Sequence, residues 1–138
     1  MASHVLVPMD GSPLSETALD VALTDYPDAA VTVLHVIDPN EPGYSYSDAD
    51  RALDLDEEPL HGSEEWYERA ETFTEELFDD ARATAAEHGV EVATEQVVGS
   101  AAREIVDYVK EHDVDHVILG SHGREEGARI ISLLGDLI

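Results

Sequence analysis

The chain contains no cysteine and a single lysine, Lys110. Without thiols there is no disulfide and no thiolate metal site, so the fold rests on its core, as suits an intracellular protein. Long apolar runs are also missing, and none approaches the ~18 residues that a membrane-spanning helix needs. Met1-Ala2-Ser3-His4 leads straight into an apolar strand pattern, with no basic region followed by a hydrophobic stretch. A soluble, cytoplasmic protein is expected. Positive charge is scarce: 7 Lys plus Arg face 32 Asp plus Glu, a formal net charge of −25. The cations are spread along the chain, so nucleic acids and anionic membranes are disfavoured as partners.

What is abundant is acid, distributed through the helical segments instead of one tail. Such a surface either recruits a basic partner or is a solvated coat tolerated in strong salt, where the Debye length shrinks to ~3 Å near molar ionic strength. The coat is favoured, because the profile resembles proteins of salt-accumulating halophiles. Disorder is disfavoured by 43% hydrophobic residues placed with clear periodicity. At 138 residues, one domain covering 1–138 is expected.

Along the chain, Val5-Leu6-Val7-Pro8-Met9 reads as a buried strand and Asp10-Gly11-Ser12 as the turn leaving it. Ser12 followed by Pro13 suits a helix N-cap and first helical residue, and Leu14, Ala18, Val21 and Ala22 continue at helical spacing until Tyr26-Pro27-Asp28. Residues 30–37 are almost continuously apolar, as in a strand covered on both faces, and His35 within them reads as a core histidine with a satisfied hydrogen bond. Residues 38–62, rich in proline and acid, form a connection long enough to be a lid, a partner surface or a mobile segment.

Ser63 caps a long helix whose stripe is Trp66, Ala70, Phe73, Leu77, Ala81 and Ala85, with Gly89 as its stop. Residues 90–97 alternate and look like a strand near an edge. Ser100 caps a further helix carrying Ala102, Ile105, Val106 and Val109. Residues 114–119 are a strand that breaks into Gly120-Ser121-His122-Gly123-Arg124, and 130–138 read as a final helix. His112 and His116 straddle a helix end and a strand start, which argues against a shared metal.

Alternating strands and helices give an open α/β fold, doubly wound around a parallel sheet, where ligands bind beyond the carboxyl ends of the strands. If the first and fourth strands are neighbours, their loops meet. Asp10 would then supply nucleoside contacts, and the amides of the glycine loop, at the start of a helix, would receive phosphates.

Val7-Pro8-Met9-Asp10-Gly11-Ser12, Leu34-His35-Val36-Ile37-Asp38, Gly99 and Gly120-Ser121-His122-Gly123-Arg124 occur in an order that resembles the universal stress protein family over essentially the whole chain. The resemblance implies a Rossmann-like sheet of strand order 3-2-1-4-5, with the fifth strand apparently missing from this chain. It also implies a homodimer with a regulatory role in stress response and not a vigorous catalyst, a weak ATPase activity being the enzymatic alternative. In ATP-binding members the matching residues put Asp10 on the nucleoside and the backbone of Val36 on adenine. Pro8, Met9, Gly11 and Ser12 complete that side, and Gly120, Ser121, His122, Gly123, Arg124 and Gly135 belong to the phosphate side. ATP, ADP or AMP is the implied ligand, with Mg²⁺ held through the phosphates.

The family's phosphate loop follows Gly-x2-Gly-x9-Gly-Ser/Thr. Here eleven residues separate Gly123 from Gly135, and Asp136 stands where a hydroxyl belongs. An anion there repels phosphate unless a cation compensates. The alternative is therefore a dimeric interaction module of the same fold that binds no nucleotide.

Overall fold

The computed structural model describes residues 4–39 and 63–120, and the backbone of 128–132. Strand β1 (His4–Pro8) is followed by helix α1 (Pro13–Asp25), β2 (Ala30–Ile37), α2 (Glu64–Glu87), β3 (Ala93–Val98), α3 (Ala101–Glu111), β4 (His116–Gly120) and β5 (Ala128–Ser132). The sheet runs β3-β2-β1-β4-β5. Its first four strands are mutually parallel, which gives the expected 3-2-1-4 order with helices on both faces.

Alternation along the central strands sorts the core into two layers. Val5 and Val7 of β1, Val31 and Val33 of β2 and Ile118 of β4 meet Ala18, Leu19, Ala22 and Leu23 of α1 and Leu77, Phe78, Ala81 and Ala85 of α2. The intervening Leu6, Leu34 and Val117 face the other way and pack with Tyr108 and Val109 of α3. Both faces of β1 are thus dry, and each such aliphatic side chain contributes roughly 1.5–3 kcal/mol of burial free energy.

Helix α1 starts where the sequence places it: Ser12 Oγ accepts from the Ser15 N–H at 3.2 Å, with Pro13 in the first turn. Ser63 does the same for α2 by accepting from Trp66 N–H at 3.2 Å. Ser100 is different. It stands at the N-cap of α3, but its side chain makes no capping hydrogen bond.

Two expectations at the C-terminal end need correction. Residues 130–132, expected in a helix, belong to strand β5, and the sheet position beyond β4, expected empty, is filled by that strand. It runs antiparallel to β4, with Gly120 opposite Ala128 and His116 opposite Ser132. A short run containing Ile130 and Ile131 suits a strand as well as a helix. The unpaired N–H and C=O groups along β4 decide the matter, because antiparallel pairing satisfies them directly. Residues 40–62 of the acidic connection expected at 38–62, and residues 133–138 of the helix expected at 130–138, lie outside the described residues. Among the described residues no helix is long and apolar enough to cross a membrane.

Candidate nucleotide site at the carboxyl ends of the strands

The winding direction reverses between β1 and β4, which pair through Val5 with His116 and Leu6 with Val117. In folds of this kind the crevice for a ligand lies at that junction, beyond the carboxyl ends of the strands. Pro8 ends β1, and Met9 continues it by donating its N–H to the Leu34 carbonyl at 2.8 Å. The chain then turns sharply. Asp10 is exposed, and its Oδ1 accepts from the Ser12 N–H at 2.9 Å, a side-chain mimic of a backbone turn.

Gly11 makes this turn at φ +86°, and a Cβ there would lie 2.6 Å from Cζ of Phe73 on α2. Only glycine meets both demands without strain. On the far side of the crevice, a Cβ on Gly120 would come within 2.5 Å of the Leu14 carbonyl and 2.7 Å of the Ser15 nitrogen. The end of β4 therefore lies directly on the first turn of α1. Gly120, the root of the second loop, thus meets the first turn of α1, which directly follows the Met9–Ser12 turn, and the rest of the 120–123 loop lies outside the described residues. The helix start expected to follow the glycine loop lies partly in residues 121–127, outside the described residues, and the chain is next described at Ala128 as a strand.

Val36 lies near the carboxyl end of β2, paired with Val97 and half-buried on the α3 face with Leu119. Of the residues expected in the site, Pro8, Met9, Asp10, Gly11, Ser12, Val36 and Gly120 thus share one end of the sheet. Ser121, His122, Gly123, Arg124 and Gly135 lie outside the described residues.

Two side chains beneath the β1–α1 turn carry more than their sequence positions announced. His35, 1% exposed, has Nδ1 2.7 Å from the Met9 carbonyl. Burial holds its pKa below the ordinary histidine value; the Met9 hydrogen bond and the charge of Asp10 oppose that shift without cancelling it. Phe73 meets the His35 ring edge-on, with centroids 5.6 Å apart, while also covering Gly11. Its helical spacing marked Phe73 as core, and nothing local announced its second contact, which depends on how α2 crosses the sheet. Beside it a groove is lined by Met9, Gly11, Glu16, Phe73, Glu76, Leu77 and Asp80.

Both glycines allow close packing, of β4 on the first turn of α1 and of Phe73 on the turn, while exposed Asp10 carries a carboxylate able to accept from a hydroxyl or amine. Comparison with known proteins bears on what fills the crevice. The model of the universal stress protein family matches residues 1–136. The chain belongs to this family. Universal stress protein YxiE of Bacillus subtilis is 30% identical over 125 residues, covering 89% of this chain and 81% of that protein. The fold is similar to that of universal stress protein UspA from Lactobacillus plantarum, with TM-score 0.67, 22% identity and coverage of 91% and 81%. It is also similar to a family protein from Arabidopsis thaliana solved with AMP bound, with TM-score 0.60, 15% identity and coverage of 91% and 80%.

Proposed function

We propose that this universal stress protein is a nucleotide-binding regulator that takes ATP, ADP or AMP between the Met9–Ser12 turn and the end of β4. One observation carries the reading: Gly120 rests on the first turn of α1, beside a turn that presents Asp10. Small residues and a helix start then flank the place where phosphates would lie, and a carboxylate flanks the place where the nucleoside would lie. AMP in the Arabidopsis relative supports the class of ligand. Val36 would offer its backbone to the base. Glu16, Glu76 and Asp80 make the α1–α2 groove hostile to anions, so the phosphates would run toward Gly120, Ser121, His122, Gly123 and Arg124, with Mg²⁺ bound through them.

The role is binding and signalling rather than turnover, in a cytoplasmic homodimer whose acidic coat suits strong salt. Titration calorimetry with ATP and Mg²⁺ in molar KCl tests it: saturable heat and a rise in melting temperature are expected, both reduced by Asp10→Ala. The absence of both heat and thermal stabilisation would overturn the proposal. A second reading, a dimeric interaction module with no nucleotide, is favoured by the eleven-residue spacing before Gly135, by Asp136, and by the strand at 128–132. Sedimentation analysis showing a dimer unaffected by ATP, together with silent calorimetry, would select it.

A further inference from the structure

Two supports converge beneath the turn that presents Asp10, and one of them depends on a hydrogen position. Met9 is anchored twice on adjacent residues of β2: its N–H donates to Leu34 O at 2.8 Å, and its carbonyl lies 2.7 Å from His35 Nδ1. A carbonyl only accepts, so the imidazole hydrogen in this contact sits on Nδ1. Strand pairing alone would fix the Met9 nitrogen and leave its carbonyl direction open. That direction sets the rotation of the Met9–Asp10 peptide and hence where the next side chain points. Phe73 packs against the His35 ring and closes off Gly11, so α2 holds the same turn from below. His35 is too deeply buried, at 1% exposure, to touch a ligand in the crevice directly.

We infer that His35 is a positioning residue for nucleoside recognition: its Nδ1–H fixes the Met9 carbonyl and thereby the direction in which Asp10 is presented. The inference rests on the nucleotide reading, since it assigns the turn a ligand to be presented to. A histidine that merely filled space would be indifferent to which ring nitrogen carries hydrogen. One that positions Met9 demands a donor at the δ position and has no such use for a donor one bond farther out.

Asparagine and glutamine separate these cases, because the Asn side-chain amide places N–H where Nδ1–H lies, and Gln places it where Nε2 lies. With ATP and Mg²⁺ in molar KCl, His35→Asn is expected to bind within about threefold of the unmodified protein. His35→Gln is expected to bind about tenfold more weakly, the effect of one misplaced hydrogen bond. Equal affinities for the two variants, whether both weakened or both unaffected, would overturn the inference.

A measurement on the unmodified chain stands apart from nucleotide affinity and from the folding of the variants. Long-range proton–nitrogen NMR spectra of the ligand-free protein at neutral pH should show the His35 hydrogen on Nδ1, the signal being assigned by its loss in His35→Asn. Hydrogen on Nε2 with a bare Nδ1 would overturn the inference. If the unmodified protein binds no nucleotide, the nucleotide reading fails on its own, and the NMR result still decides whether His35 holds Met9 as inferred.

Discussion

Gly11 and Gly120 leave no room for a side chain, for different physical reasons. At Gly120 the obstacle is the backbone of α1, which cannot swing aside. Gly120→Ala should therefore cost about 2–3 kcal/mol, with helix and strand forced apart. At Gly11 the obstacle is the Phe73 ring, which has some freedom to tilt, and the main penalty is the positive φ, about 1–2 kcal/mol for Gly11→Ala. Urea unfolding of both variants checks the order, and a milder effect at Gly120 would contradict the close contact. His35 adds a pH signature. Its native pKa is held low by burial, so below about pH 6.5 the unfolded chain binds a proton that the native state refuses. Its stabilising contribution is complete above that value and declines as pH falls toward the depressed native pKa. The urea midpoint of the unmodified protein should therefore drop more between about pH 7.5 and about pH 5.5 than that of His35→Asn, whose amide does not titrate there. Parallel midpoint curves for the two proteins would argue against it.

Helix starts show how chemistry already legible in the chain is or is not used. Ser63 holds the first turn of α2 by a side-chain bond to Trp66 N–H, whereas Ser100 makes no such bond at α3. Ser63→Ala should lose about 1 kcal/mol in chemical denaturation, and Ser100→Ala only a few tenths. The sequence alone distinguishes neither serine from the other, since both precede helical periodicity; only the folded cap geometry separates them. Strands β1, β2 and β4 were readable because burial on both faces demands continuous apolar runs, and α2 because its stripe is long. Strand β5 was not, because Ile130 and Ile131 satisfy either period and the open edge of β4 makes the choice. In the site, Asp10, Gly11 and Ser12 were visible as a turn after a strand. The use of Phe73 was invisible, because a residue 62 positions away contacts Gly11 only through the packing of α2.

Charge acts on the molecule as a whole. Ion pairs such as Arg82 with Asp79 at 3.0 Å, exposed, and Arg69 with Glu65 at 3.8 Å, partly exposed, contribute little against a net charge of −25. Self-repulsion should therefore dominate at low ionic strength. The melting temperature is expected to rise steadily from about 0.05 M to about 1 M KCl, as screening shortens the range of repulsion. A flat profile in differential scanning calorimetry would show that the carboxylates are already compensated locally.

The central place of β1 has a consequence for how the chain is made. Its partner β4 arrives late: the hydrogen bond from His4 N–H to Asp115 Oδ2 joins residues 111 positions apart. During synthesis the first strand can recruit β2 early, but its other edge must wait until β4 has left the ribosome. Until then one hydrogen-bonding edge of this buried central strand is unclosed, and the nascent chain is most exposed to wrong partners. The same residues that meet at the crevice mark the end of that wait. A ligand of the kind proposed would therefore select molecules whose synthesis has run past β4.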